Sequence, residues 1–156
     1  MSRKHNLLNL LLCFIFGMIL FACADTEVFY EYKSLPDATW DKDNTLTFEV
    51  LLTDTIQPLD VFIEVRNNDQ YPFQNLWLFV DCKSPQGIVT KDTVNISLAD
   101  VYGTWQGEGL SIYTLEHPYQ QNHLFPDSGI YRYSIRQGMR VDQLSGVSDV
   151  GLKFRN

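Results

Sequence analysis

The chain has 156 residues, and its acidic side chains outnumber its basic ones, which gives a formal net charge of −7 at pH 7. A chain of this length fits one domain with a single hydrophobic core. An acidic surface repels nucleic acid and anionic lipid headgroups, so we predict one domain and no nucleic-acid partner.

The first 22 residues are typical of a secretory signal that ends at a lipid-attachment site. Basic residues 3–5 precede an almost wholly apolar run from Leu7 to Phe21, and about 15 residues are too few to span a bilayer comfortably. Leu20-Phe21-Ala22-Cys23 resembles a bacterial lipobox, although Phe21 is bulkier than the usual residue there. We predict that residues 1–22 are removed and that Cys23 is lipidated. An ordinary signal peptide followed by a chance cysteine is the alternative.

A lipid-attachment site at Cys23 predicts the cellular location and the net charge of the chain that remains after cleavage. Cleavage removes Arg3 and Lys4, which lowers the formal net charge to −9. No second apolar run approaches bilayer length, so the acyl chains on Cys23 supply the membrane anchor. We predict a lipidated tether over residues 23–27 and one domain over residues 28–156. The predicted location is the cell envelope, with the outer membrane expected and its periplasmic or surface side left open.

Beyond the signal, apolar and polar side chains alternate with the two-residue period of β-strands. Polar, turn-forming residues 36–45 are predicted to be a loop, and a helix is expected only as a short turn near residues 139–144. Leu76 to Lys83 is apolar on both faces until Asp81, which indicates a central strand. The alternating runs lie at residues 28–33, 46–50, 61–65, 76–82, 88–98, 130–135 and 150–154. This pattern predicts an all-β fold, an antiparallel β-sandwich of about seven to nine strands with a jelly-roll or immunoglobulin-like topology.

Motifs for catalysis are not found in the sequence. His117 and His123 lie in a segment that reads as a loop, and no further ligands follow at a metal-binding spacing. No serine lies in a Gly-x-Ser-x-Gly context. Cys82 alternates with the apolar residues of its strand, which predicts a buried, inert thiol. We expect no enzyme activity, no cofactor and no metal; a hydrolase would instead need carboxylates or a His–Ser pair that converge in one deep pocket.

Aromatic residues and glycines supply the candidate binding sites. Trp40 and Trp105 are predicted in loops, where a flat ring could pack on a sugar, whereas Trp77 is predicted in the core. Loops on a rigid sandwich commonly carry binding residues, and Trp and Arg are frequent interface anchors. The candidate interaction residues are therefore Gly103, Trp105, Gly107, Met139 and Arg140. The alternative is that Trp105 closes one end of the core and that Arg140 pairs with an acidic neighbour.

Several segments in a fixed order also resemble a known family. The segments are Val65-Arg66-Asn67, residues 71–78, Gly103-Thr104-Trp105-Gln106-Gly107-Glu108-Gly109, residues 131–140 and residues 144–152. Behind a lipobox, this set resembles the GldH-type gliding-motility lipoproteins of the Bacteroidetes. The resemblance implies a cell-envelope lipoprotein linked to gliding and the associated secretion machinery, without a known enzyme activity. We predict an accessory role through binding of envelope proteins; a surface carbohydrate-binding lipoprotein, with a glycan as ligand, is the alternative.

Two short segments are similar to the Asp-Ser/Thr-apolar site of O-glycosylation on Bacteroidetes envelope proteins. They are Asp54-Thr55-Ile56 and Asp92-Thr93-Val94. Thr55 and Thr93 are therefore candidate glycosylation sites on an exported surface; ordinary strand or turn threonines are the alternative.

Overall fold

Alternation of apolar and polar side chains produces strands along most of the chain. A computed structural model describes residues 27–53 and 56–156. The strands are β1 (Glu27–Ser34), β2 (Thr39–Asp41), β3 (Leu46–Leu52), β4 (Leu59–Asn68), β5 (Asn75–Lys83), β6 (Val89–Ser97), β7 (Ile112–His123), β8 (Gly129–Gln137), β9 (Gln143–Ser145) and β10 (Val147–Arg155). The predicted signal, Cys23 and Thr55 lie outside the described residues.

Eight of these strands build two four-stranded antiparallel sheets that pack face to face. The strand orders are β1-β10-β4-β7 and β3-β8-β5-β6, while the three-residue strands β2 and β9 pair only with each other. Numbered along the chain, the eight long strands are arranged 1-8-3-6 and 2-7-4-5, which is the order of two interleaved Greek keys in a jelly roll. The predicted antiparallel sandwich is confirmed, and its topology is the jelly roll of the two alternatives.

Side chains at alternate positions of both sheets point inward and form one core. Leu76, Leu78 and Val80 of β5 are fully buried, and the rings of Tyr133 and Phe154 meet across the two sheets with centroids 5.6 Å apart. Strand β5 pairs with β6 on one side and β8 on the other. Its prediction as an interior strand is confirmed.

Two tryptophans are placed opposite to the sequence-based expectation. The segment predicted as a loop at residues 36–45 contains a 3₁₀ turn at Pro36–Ala38 and then β2, in which Trp40 is fully buried. Trp40 pairs with Leu144 of β9 and donates from Nε1 to the carbonyl oxygen of Asn44 at 3.0 Å. Trp77, predicted in the core, points outward from β5 and is 40% exposed. The prediction of Trp40 as a sugar-binding ring is wrong, because no ligand can reach it.

The region predicted as a loop around the two histidines is also a strand. Strand β7 carries both His117 and His123, and it forms the edge of its sheet. Pro118 is compatible with that strand because an edge strand does not use every backbone N–H, and the pairing with β4 shifts register at Val61 and Phe62 beside it. The expected helical turn near Met139 is instead a bend followed by β9. Within residues 27–53 and 56–156, no helix is long and apolar enough to cross a bilayer.

Candidate functional site

Strand β5 places two large aromatic side chains on the outer surface of the β3-β8-β5-β6 sheet. Trp77 and Phe79 are two residues apart, so both point away from the core that Leu76, Leu78 and Val80 fill. Each is about two-fifths exposed, at 40% and 41%. We call this outer surface the aromatic face.

The loop after β8 extends the aromatic face. Gly138 donates its N–H to the carbonyl oxygen of Trp77 at 2.7 Å, and the N–H of Trp77 lies 3.4 Å from the sulfur of Met139. A side chain at Gly138 would place its Cβ only 3.1 Å from the ring of Phe79. Glycine therefore permits the close approach that brings the predicted residue Met139 to Trp77. Arg140 follows it and is exposed.

The aromatic face is basic although the chain as a whole is acidic. The register of β3, β8, β5 and β6 places four basic and two acidic side chains on it: Lys83, Lys91, Arg132, Arg136, Glu49 and Asp81. Arg132 pairs with Glu49 at 2.5 Å, and the guanidinium of Arg136 lies 5.9 Å from the centroid of Phe79. In the part of the chain that the structure describes, Lys83, Lys91 and Arg136 have no ion-pair partner.

Polar side chains of β6 border the two aromatic rings of β5. Thr93 is directly opposite Phe79 and is exposed, and Asn95 is directly opposite Trp77. The amide of Asn75 donates to the amide oxygen of Asn95 at 2.7 Å. Thr93 is therefore accessible on the aromatic face, and its modification stays a prediction.

The glycine-rich loop between β6 and β7 carries the other predicted residues. Trp105 is half-buried against the core, and its Nε1 donates to the Asp69 carboxylate at 3.0 Å. Its ring lies 6.3 Å from that of Tyr71 and 5.8 Å from that of Tyr113. The sequence-based alternative, in which Trp105 closes an end of the core, agrees with these contacts, while its role in binding stays a prediction.

The backbone conformation and packing of this loop explain why glycine occupies two of its positions. Gly103 has a φ of 84° and closes a turn with the carbonyl oxygen of Asp100. At Gly107 a Cβ would lie 2.9 Å from the backbone of Thr114, so a side chain would separate the loop from β7. Both residues shape the loop, and a contact of either with a partner stays a prediction.

The outer surface of the opposite sheet is different, and we call it the covered face. Glu64 of β4 points outward, yet it is only 4% exposed. It accepts hydrogen bonds from the hydroxyls of Tyr30, at 2.9 Å, and Tyr32, and the ammonium of Lys153 lies 3.8 Å away. Gly151 leaves the space for this, because its Cβ would lie 2.7 Å from the Tyr32 ring.

Arginines lie over two aromatic rings of the covered face. The guanidinium of Arg66 lies 3.9 Å from the centroid of Tyr32, and that of Arg155 lies 4.0 Å from the centroid of Phe62. Lys153 and Arg155 also pair with Glu116, each at 3.1 Å. Its charged groups are therefore largely paired with one another, which leaves few of them for a partner.

A cleft of about 320 Å³ opens between the two sheets beside β6 and β7. Its lining is mostly apolar and includes Cys82, Phe125 and Tyr131, and His123 lies at its edge with its ring 4.7 Å from that of Phe125. Burial raises the pKa of the Cys82 thiol, so the thiol is held in its protonated, poorly nucleophilic form. Cys82 is buried, as predicted. No group of three or more His, Cys, Asp or Glu side chains among the described residues is placed to hold a metal ion.

Comparison with known proteins identifies the family. A family model described as GldH lipoprotein matches residues 27–154. The chain belongs to the GldH lipoprotein family. The match covers the described jelly roll almost from end to end, so the family resemblance inferred from the ordered segments is confirmed.

Two curated members of the GldH family are similar over nearly their whole length. The gliding motility lipoprotein GldH homolog of Christiangramia forsetii is 36% identical over 150 residues, covering 90% of this chain and 91% of that protein. The gliding motility lipoprotein GldH of Flavobacterium johnsoniae is 34% identical over 146 residues, covering 88% and 90%. Among solved structures, a carbohydrate-binding module specific for non-crystalline cellulose is similar over 85% of this chain and 79% of that chain, at 11% identity and a TM-score of 0.43. At that level the likeness carries no argument.

Proposed function

We propose that this GldH-family chain is a lipid-anchored accessory protein of the gliding apparatus in the cell envelope and that it acts by binding another protein. The family and the names of its relatives support the envelope and gliding assignment. The sequence before β1 supports an anchor at Cys23, which we expect in the outer membrane. A link to the associated secretion machinery is part of the same proposal.

The aromatic face is the surface that we propose for binding. Its two exposed rings and its arginines are the side-chain types that anchor protein interfaces. Its unpaired basic groups stand out on a chain of net charge −7, so charge complementarity favours an acidic protein surface as the partner. Met139 and Arg140 extend this face, whereas Trp105 and its glycines belong to a separate loop. The one observation that carries the proposal is the exposure of Trp77 and Phe79 beside unpaired cations.

Site-specific photocrosslinking in living cells tests this proposal. A photoreactive residue is placed at Phe79 on the aromatic face and, as a matched control, at Tyr30 on the covered face, because the two positions are 41% and 43% exposed. We expect a defined adduct with one envelope protein from position 79 and none from position 30. Adducts of equal yield from both positions would contradict the proposed face.

Two substitutions then test the chemistry of the interaction. Trp77→Ala should weaken capture of the crosslinked partner more than tenfold, since truncation of an interface anchor costs at least about 2 kcal/mol of binding energy. Arg136→Glu should weaken capture by a larger factor at low salt than at high salt, because it reverses a charge that steers the partner and salt screens that charge. Tyr102→Ala, in the glycine-rich loop, is the control. If that variant alone lost capture, the partner would bind the loop and not the aromatic face.

The second candidate function is binding of a glycan at the same face. The specific observation is the pair of flat, exposed rings at Trp77 and Phe79 next to the amides of Asn75 and Asn95. Titration with polysaccharide from the organism's own envelope would show binding that Trp77→Ala abolishes. Photocrosslinking to protein from position 79 without any glycan binding would reject this candidate.

A further inference from the structure

One end of the sandwich exposes a cluster of aliphatic side chains. We call it the anchor end, because β1 begins there at Glu27. The pairings of Glu27 with Arg155, Leu59 with His123, Leu52 with Gly129 and Lys83 with Val89 place these strand ends together. A small cavity joins Val28 and Leu51 to Leu59 and Asn156 across the two sheets. The aliphatic residues exposed here are Val28, Leu51, Ile56, Ile88, Val89, Leu124 and Ile130.

The turns at the anchor end are almost free of charge. The connections at residues 53–58, 84–88 and 124–128 contain no lysine or arginine, and their only acidic residues are Asp54 and Asp127. The opposite end also exposes apolar side chains, including Val101, Tyr102 and Leu110. Those side chains, however, lie in a loop with Asp100 and Glu108. The connecting turns of the anchor end are therefore nearly uncharged, whereas the glycine-rich loop at the opposite end carries acidic side chains among its apolar ones.

The chain length before β1 says what lies next to this end. Cys23 precedes Glu27 by four residues, and four extended residues reach at most about 14 Å. With the lipid anchor of the proposed function on Cys23, the anchor end cannot move far from the lipid headgroups. An exposed apolar patch held at that distance from a bilayer is buried most simply in its interface.

We infer that the anchor end rests on the membrane surface and that its aliphatic side chains enter the headgroup region. The inference rests on the lipid anchor in the proposed function, and it adds an interaction surface to it. Contact is mainly apolar, because the connecting turns themselves carry no lysine or arginine; Lys83 and Arg155 lie at the strand ends behind them, and Arg155 is paired with Glu116. The strands then rise from the bilayer. The part of the aromatic face around Trp77 and Phe79, which is farther from the anchor end than Lys83 and Val89, stays open to an envelope partner.

Spin-label accessibility in nanodiscs tests this inference. The lipidated protein, in a Cys82→Ala background, is placed at one copy per disc in bilayers of phosphatidylethanolamine and phosphatidylcholine. A nitroxide is attached through Ile88→Cys at the anchor end or through Tyr102→Cys at the opposite end, positions that are 65% and 91% exposed. The measured quantity is the ratio of collisions with oxygen, which enters lipid, to collisions with a water-soluble nickel chelate.

We expect the oxygen-to-nickel ratio to be several-fold higher for the Ile88 label than for the Tyr102 label. The control is unlipidated Cys23→Ser protein in buffer without nanodiscs or detergent, in which the two labels should give the same ratio. Equal ratios in protein that carries acyl chains on Cys23 would overturn the inference and leave the anchor intact. Absence of acyl chains by mass spectrometry would overturn both. If the Ile88 label were shielded from the nickel chelate only in discs that hold two copies, the patch would be an interface between copies, and membrane contact would be overturned.

Discussion

The two outer faces of this jelly roll use aromatic side chains in opposite ways. On the covered face, Tyr30 and Tyr32 donate hydrogen bonds to the buried carboxylate of Glu64, and arginines lie over the rings of Tyr32 and Phe62. On the aromatic face, Trp77 and Phe79 remain two-fifths exposed next to cations without ion-pair partners. A ring on the outside of a sheet thus either joins a network that stabilises the fold or stays exposed and available to a partner, and its polar neighbours decide which.

The largest predicted change in the free energy of unfolding distinguishes the inward side of β5 from its outward side. Leu78→Ala removes a fully buried side chain from β5 and should lower the free energy of unfolding by about 2–5 kcal/mol. Trp77→Ala, one residue earlier and outward, should lower it by less than about 1 kcal/mol, because much of its ring is already in water. Denaturant unfolding of both variants measures the difference. Equal destabilisation would show that Trp77 is part of the core and not available to a partner.

A second prediction compares two glutamates, one on each outer face. Glu64→Ala should lower the free energy of unfolding by about 3 kcal/mol, since it removes hydrogen bonds from two tyrosine hydroxyls to a buried carboxylate. Glu49→Ala on the aromatic face breaks only an exposed pair with Arg132 and should cost about 0–1 kcal/mol. Chemical denaturation at neutral pH measures both. If Glu64→Ala were as mild as Glu49→Ala, the covered face would not be a stabilising network.

Trp105 should give an intermediate effect, because it is half-buried. Trp105→Ala removes ring contacts to Tyr71 and Tyr113 and the bond to Asp69, and it should cost about 2 kcal/mol of stability. Trp105→Phe keeps most of the ring contacts and should recover about half of that loss. Thermal unfolding of the two variants gives the comparison, and partner capture is measured alongside. Normal stability with lost capture would identify Trp105 as a binding residue and would shift binding away from the aromatic face.

Local pattern predicted the strands well and the covering of their outer sides poorly. The alternation of Leu76, Leu78, Val80 and Cys82 predicted one inward face of β5. The outward face was misjudged at Trp77, since an apolar residue there indicates a second covered face, yet no layer covers it. Whether a layer exists depends on contacts distant in sequence.

Glu64 and Trp40 show the same limit from the other direction. Alternation along β4 predicts a solvated Glu64, but Tyr30, Tyr32 and Lys153 arrive from β1 and β10 to bury it. Trp40 follows turn-forming residues, and its burial comes from β9, about 100 residues later in the chain. The polar composition and the proline of β7 likewise conceal an edge strand, because an edge strand needs few apolar residues on its outer side.

The smallest predicted effect lies on the inner side of β5, at Cys82 between the outward residues Asp81 and Lys83. Burial raises the pKa of this thiol above that of a free cysteine, about 8.5. The protonated thiol therefore contributes stability that is present below about pH 8.5 and is lost as the pH rises through the folded pKa. The difference in the free energy of unfolding between wild type and Cys82→Ala should narrow from pH 7 to pH 10, and the folded thiol should react with an alkylating reagent more slowly than the unfolded one. A difference that stays constant with pH, together with rapid alkylation of the folded protein, would show that the cleft leaves Cys82 open to water.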